Sequence, residues 1–416
     1  MTGLVSRLSM LILAVMAMSY ILPAAFDKVV GRKAEEPLLF FSPVLQKFVY
    51  QESLGGHRFI YADEDGVHYD RQEFEALLPF LYHRSLEIHD LLPLVIDGQS
   101  FELEDIRAGR QAVEIKSRQV KVNRQQIDLY PLFNNDPGVP MIPFPEDVFR
   151  ITHKGMEFIN ADYNRIDSEL TRDFTEALRD KGFVFPAEVI SGNPTNLKPF
   201  DEGYFIRDAS GQVFHVKRVR NQPAIVRTDI EPGLDILDMV ISENRRMEFY
   251  GAVFTTQGDI FLISYDDYRL IRIPVDNFDP RSMDFKLIIN PLYRTAVISS
   301  HKGIYGLAMD RDYSAVHDFF LERPAPEAGF AGRVRDFFLP FQIILTSERL
   351  DQAGLGLRTG GPWSVAGVIT ALVLFLVMNR SIRTRPTKKM DLLAVLLTGF
   401  FGLVAVGFIR DDHPGE

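Results

Sequence analysis

The chain has 416 residues, 46% of them hydrophobic and 12% aromatic, with a formal net charge of −10 and no cysteine. Such a composition excludes a disordered chain and is enough for a sizeable core. The acidic balance argues against nucleic acid as a partner, because phosphate binding needs a basic face; the lack of cysteine excludes disulfide frameworks, thiolate metal sites and thiol catalysis.

Residues 8–26 contain no charged side chain, a stretch of about 28 Å as a helix, close to the thickness of a bilayer core. Arg7 precedes this run and Asp27 and Lys28 follow it. A cleaved signal peptide is the rival reading, but Pro23 would sit where a small residue is preferred, so an uncleaved anchor over 1–26 is expected. Residues 27–145 read as a mixed α/β part. In it, Asp63-Glu64-Asp65-Gly66 resembles the start of a calcium loop but lacks the spacing of one, and predicts a β turn. Residues 71–92 carry apolar side chains at helical spacing, with Pro79 expected to split the helix. Residues 131–147, rich in proline, read as an irregular connection.

From 146 to 325 the pattern becomes repetitive. A helix is expected over 162–181, stopped by Gly182. Three glycines, Gly211, Gly258 and Gly303, each open an apolar alternation; Asp267-Tyr268 and Asp312-Tyr313 mark matching turns after the last two. Gly155 and Gly66 open weaker versions. A spacing of 45 to 47 residues between the three glycines has room for four strands per repeat, as in propeller blades. The expected fold is therefore a mainly β ectodomain, propeller-like or built of repeated antiparallel hairpins, with a plain antiparallel sandwich as the alternative.

Residues 326–362 read as a linker and an interfacial segment. The run 337–345 is too short to span a bilayer and is broken by Pro340, so it is expected to lie at the outer leaflet, with a buried final strand as the alternative. Gly354 and Gly356 are expected in a flexible approach to the membrane. Two further charge-free runs, 363–378 and 392–409, make a transmembrane hairpin within 363–416, for three spans in all. Their connection carries Arg380, Arg383, Arg385, Lys388 and Lys389 against one acid. By the positive-inside rule these cations, with Arg7, set the topology: N-terminus and basic loop in the cytoplasm, residues 27–362 and the acidic tail outside. The exported part, with 39 basic against 52 acidic residues, carries −13. Gly367, Ala371, Gly399, Gly402 and Gly407 would permit close helix contact in lipid.

Motifs for catalysis are missing. The sequence contains no phosphate-binding P-loop, no G-x-S-x-G elbow and no H-E-x-x-H. Ser299-Ser300-His301-Lys302 matches S-x-x-K only by residue type, His83 and His89 are too far apart for one helical face, and Asp266-Asp267 and Asp310-x-Asp312 sit in equivalent predicted turns. No cofactor, metal ligand or catalytic residue is assigned.

The segments FTEALRDKGFVFPAEVISGNPTNLKPFDEGYFIRDASGQVFHVK and EFYGAVFTTQGDIFLISYDDYRLIRIP, with FSPVLQKFVY upstream and the closing apolar pair, resemble a bacterial family of membrane-anchored proteins of unassigned function. Its members tend to be encoded beside the ATPase and permease of an ABC-type exporter, so the resemblance implies a partner and no reaction. The expectation that follows is a non-catalytic accessory subunit of an ABC-type transport system in a bacterial inner membrane, in contact with lipid and with its bulk on the periplasmic side. A tethered envelope scaffold or sensor is the alternative, and a periplasmic enzyme a third.

Overall fold

In a computed structural model, residues 2–29, 36–55, 57–120, 127–136, 142–323, 330–349, 352–378 and 387–409 are described. The chain divides into two compact units.

The larger unit, Glu36–Ser53 with Arg58–Arg323, is mainly β. Sheet I holds strands β1 (Leu38–Ser42), β2 (Lys47–Gly55), β3 (Arg58–Asp63) and β4 (His68–Tyr69) in that order. Next come α2 (Arg71–Leu77; α1 is Thr2–Val29), α3 (His83–Ile88), the hairpin β5 (Leu94–Ile96) and β6 (Gln99–Phe101), α4 (Leu103–Ala108), β7 (Gln111–Ile115) and the short β8 (Asn134–Asn135). Pro79 lies in the break between α2 and α3, as its missing amide requires.

Sheet II contains β9 (Asp147–Ile151), β10 (Met156–Asn160) and β11 (Arg165–Asp167), covered by α5 (Ser168–Asp180). Three four-stranded meanders follow. Sheet III is β12 (Ala187–Gly192), β13 (Tyr204–Asp208), β14 (Val213–Val219) and β15 (Gln222–Arg227), with β8 alongside β14. Sheet IV is β16 (Ile236–Ile241), β17 (Phe249–Thr255), β18 (Ile260–Ser264) and β19 (Leu270–Ile273), and sheet V is β20 (Asp284–Ile289), β21 (Arg294–Ser299), β22 (Gly303–Met309) and β23 (Ala315–Glu322).

The predicted repeat is thus real at the level of strands: Gly211, Gly258 and Gly303 each lead into the third strand of three successive sheets. Two of these glycines show why the residue is needed. Gly211 has φ +85 and a Cβ there would lie 2.5 Å from the Pro232 carbonyl oxygen; Gly258 has φ +89 and would meet the Phe278 carbonyl oxygen at 2.4 Å. In both cases the obstacle is the connection to the next sheet, so each glycine lets a turn press against the following repeat.

The sheets pack face to face in the order II–III–IV–V–I. Phe149, Phe174 and Phe214 share one core between II, α5 and III; Phe205 and Val253 share the next; Phe254 and Leu287 the third; Leu39, Phe48 and Val297 the last. This succession of meanders is the arrangement of propeller blades. The expected boundary at residue 145 is crossed by β7, which pairs antiparallel with β20 and becomes the fifth strand of sheet V.

One helix starts later than predicted. The helix expected from 162 begins at Ser168, because Asn160 Oδ1 accepts the amides of Asp162 and Tyr163 and turns the chain into β11. Asp167 then caps α5 by accepting from the amides of Glu169 and Leu170.

The smaller unit, Met1–Glu35, Leu54–His57 and Pro324–Glu416, contains α1, α6 (Phe330–Phe338), the hairpin of β24 (Phe341–Arg349) and β25 (Gln352–Thr359), α7 (Pro362–Met378), α8 (Thr387–Thr398) and α9 (Phe400–Phe408). Several expectations change here. Among the described residues one helix, over Val5–Phe26, is long and apolar enough to cross a membrane, and a signal sequence has the same length and composition. The three expected spans are not found as such. The run 363–378 gives a helix of 17 residues, and the run 392–409 breaks at Gly399, whose φ of +59 no regular helix accommodates. The segment 337–345 is not one interfacial element: α6 ends at Phe338, and beyond Pro340 the chain enters β24. Gly354 and Gly356, expected in a flexible approach, lie within β25.

Candidate functional site

Chemistry needs polar groups that the fold gathers and leaves unsatisfied. Among the described residues of the larger unit, two gatherings of buried polar groups stand out, one closed and one lining an open cleft.

The closed gathering lies between sheets III and IV. Lys198, 2% exposed, donates to Asp201 Oδ1 and, at 2.9 Å, to Glu243 Oε1 as well as to the Asn193 carbonyl at 2.6 Å, and it sits 4.7 Å from the Phe133 ring centre. Burial raises the Asp201 carboxyl above its ordinary value in spite of that lysine. Beside it, Glu202 accepts from Lys217 at 2.8 Å and from the Tyr265 hydroxyl, and burial together with Glu202 holds that phenol protonated. His215 stacks on Phe205 at 4.3 Å. Its Nε2 donates to the Glu202 carbonyl and its Nδ1 accepts from the Tyr268 hydroxyl at 3.0 Å, which fixes a neutral ring. Burial lowers the pKa of His215 to about 4. These groups satisfy one another and tie neighbouring sheets together.

The open gathering is a cleft where α4, β7, the loop between β16 and β17, and the turn before β21 converge. It has a volume of 1390 Å³, and Arg107, Arg110 and Asn244 also line a second cavity of 370 Å³. Glu248 anchors the wall of the larger cleft. It accepts two bonds from Arg294, at 3.1 Å each, one from Arg246, and one from the Tyr313 hydroxyl at 2.6 Å. Burial would raise its pKa, but the hydroxyl and the two guanidinium groups prevail and hold the carboxyl below its ordinary range. Arg246 and Arg294 are therefore committed to structure.

Arg110 is placed differently. α4 ends at Gly109, where a Cβ would lie 2.7 Å from Pro291 Cγ, so the absence of a side chain lets the turn close on the helix end. Arg110 follows, half-buried, with Nη1 2.7 Å from His83 Nδ1 and, among the described residues, no carboxylate in contact. Burial alone draws its pKa below the ordinary value, with nothing acidic to offset it. His83 is also lowered, first by burial and then by Arg110, so its ring is neutral and able to accept. Arg245, exposed on the facing loop, lines the same cleft.

Gln111 is the next residue and opens β7. Its strand alternates buried and exposed positions, and Gln111 takes the buried face with Val113 and Ile115. It is 5% exposed, yet neither its amide nitrogen nor its amide oxygen has a hydrogen-bond partner. An unsatisfied buried amide costs about 1–3 kcal/mol. Around it the 370 Å³ cavity is walled by Phe40, Phe41, Leu78, Phe80 and Leu81. A guanidinium without a counter-ion, an amide without partners and an apolar wall are the elements of a site for a small amphipathic ligand.

The residues singled out from sequence fall elsewhere. Arg7 is not a free flanking charge: it is 7% exposed and bonded to Asp391 at 3.1 Å and to the Ile409 carbonyl at 3.4 Å. Lys388 and Lys389 belong to the start of α8 rather than to a loop, with Lys389 exposed. Arg380, Arg383 and Arg385 lie outside the described residues. Asp63 Oδ1 accepts the amides of Asp65 and Val67, and Asp310 Oδ1 those of Asp312 and Ser314; both act in turns. Ser300 likewise closes the turn before β22 by accepting the amides of Lys302 and Gly303. Among the described residues no group of three His, Asp or Glu could hold a metal ion. Arg110 and Gln111 were not singled out; the one sign in the sequence is a glutamine in a core position of an alternating strand, straight after a helix-ending Gly-Arg.

Comparison with known proteins adds a family and little else. Residues 38–309 match the model of a domain of unknown function, DUF4857. No curated protein matches the chain. Among solved structures, the crystal structure of the Myceliophteria thermophila Cps50 (Swd1) beta-propeller domain is similar over 47% of this chain at 7% identity with a TM-score of 0.24; the chain spans 56% of that domain.

Proposed function

The chain belongs to the DUF4857 family, and on that premise we propose that it is a membrane-anchored binding subunit, non-catalytic in itself, that serves an ABC-type transport system in a bacterial inner membrane. The observation that carries this reading is the cleft at Arg110 and Gln111, where a guanidinium meets a neutral imidazole instead of a carboxylate and a buried amide has no hydrogen bond, while the other buried polar groups described above are saturated by their neighbours. A ligand held outside the membrane needs a partner that moves it, and the sequence resemblance points to a permease and its ATPase.

Anchorage fits the same reading. α1 supplies the span. In the smaller unit α7 turns Val365, Ile369 and Val373 outward, each more than half exposed, while Gly367 and Ala371 face inward; apolar side chains outside and small residues inside are what a lipid-facing bundle requires. In this reading Arg7 and the basic segment 380–389 lie on the cytoplasmic side and the acidic larger unit on the periplasmic side.

Affinity purification of the tagged full-length chain from mildly solubilised membranes tests the proposal. Recovery of an ATPase and a permease in stoichiometric amount is expected; recovery of the chain alone refutes it. A tethered scaffold or sensor is the second reading, favoured by the edge strand β23, where Val316 and Phe320 are half-exposed. It predicts that function survives when ATP hydrolysis by every partner is abolished.

A further inference from the structure

We propose that the cleft takes the C-terminal end of a short peptide, or an N-acyl amino acid of the same chemistry, with an apolar last side chain. The inference rests on the cleft being the binding site named above and adds the class of ligand. Three features within a few residues of one another carry it. Arg110 is a partly desolvated cation whose polar contact is a neutral imidazole, so it lacks an anion, and a carboxylate is the planar group its fork fits best. Gln111, the next residue, lacks both a donor and an acceptor, and a peptide bond one step from a terminal carboxylate presents both. The cavity they share is walled by Phe40, Leu78, Phe80 and Leu81, which suits a branched or aromatic side chain.

Size and charge narrow the choice. At 370 Å³ the cavity lies at the small end of the range for ligand sites, about 300–1,000 Å³, and accommodates a body of residue size rather than a two-chain lipid. A free phosphate would satisfy Arg110 but leave the apolar wall and Gln111 unused. A fatty acid would fill the wall and meet Arg110 but present nothing to the Gln111 amide. The peptide terminus meets all three. Its remaining chain has room to run into the 1390 Å³ cleft, past Arg245 on the facing loop.

Isothermal titration of the full-length chain in detergent micelles, with acetyl-Ala-Leu and acetyl-Ala-Phe as probes, tests this directly. Binding of at least one probe is expected, with roughly tenfold or greater weakening when its carboxylate is replaced by a carboxamide. Arg110→Gln should weaken the acid to the level of the carboxamide and erase the difference between them. Gln111→Leu should weaken acid and carboxamide alike. Unchanged thermal unfolding of both variants would show that the fold is retained. Should either variant unfold, the carboxamide comparison on the unaltered protein decides. No binding of either probe, or equal binding of acid and carboxamide, overturns the proposal, as does stronger binding of a medium-chain fatty acid than of either peptide. A chain that binds no peptide yet recovers a permease and an ATPase would sink the ligand class and leave the transport reading standing; peptide binding without those partners would do the reverse.

Discussion

Lowering the pH from 7 to 5 should destabilise the larger unit by about 2 kcal/mol through His215 alone. The ring is sealed between Phe205, Tyr250 and Tyr268, with Lys217 two residues away; burial, and secondarily that lysine, hold its pKa near 4 against an ordinary 6.5. The sign follows from the direction of the shift. An unfolded chain takes up a proton below about pH 6.5 that the native ring refuses until about pH 4, so stability is complete above the first value and is lost as pH falls towards the second. The full gap of about 2.5 pH units corresponds to about 3 kcal/mol, of which about 2 is lost by pH 5. Urea unfolding of the full-length chain in micelles, followed by near-ultraviolet circular dichroism of the tyrosines packed on the ring, measures it. His215→Gln lowers stability at pH 7 through lost packing, but its stability should depend on pH less steeply by that amount. Equal pH dependence in the variant and the parent would refute the reasoning.

Lys198→Met should cost about 3–5 kcal/mol at pH 7, because Asp201 and Glu243 keep their burial and lose their cation; urea unfolding should show the deficit shrinking at acid pH as the Asp201 carboxyl, already raised by burial, protonates. Tyr313→Phe removes a hydroxyl from the Glu248 carboxylate and should cost about 1.5–3 kcal/mol, more than Tyr268→Phe, whose partner is a neutral imidazole. That order is read from thermal unfolding. For the helical unit, a double-mutant cycle of Arg7→Leu and Asp391→Leu should give a coupling above about 1 kcal/mol in detergent unfolding, and a value near zero would mean the buried pair contributes nothing.

Much of the larger unit could be read from spacing. Glycines 45 to 47 residues apart mark one turn in three successive sheets, and at Gly211 and Gly258 that turn meets the next connection too closely for a side chain. The strand β7 could not be read in this way. Its alternation is visible, but pairing with β20 spans well over a hundred residues, and such a partner leaves no trace in local pattern. Length and lack of charge mark the apolar runs near the C-terminus, and Gly399 shows the limit: hydropathy averages over a glycine that breaks the helix. In the sequence Arg7 is a topology-setting cation beside an apolar run, and nothing local reveals its partner Asp391, which lies 384 residues further along. The cleft was least legible of all. Arg110 and Gln111 have ordinary neighbours in sequence, and what distinguishes them is a guanidinium facing an imidazole rather than a carboxylate and an amide without a hydrogen bond, properties that exist only after folding.

The loan of β7 to sheet V has a consequence for biosynthesis. Early in translation this strand leaves the ribosome with no neighbour, and its edge is capped only once β20 has emerged. Sheet I, made before it, likewise finds its packing face on the sheet made last, a closure helped by the Glu36–Arg323 bond at 2.7 Å. The two ends of the unit therefore cannot mature separately. A ribosome stalled anywhere before β20 would hold a chain with an open, sticky edge, a natural target for holding chaperones.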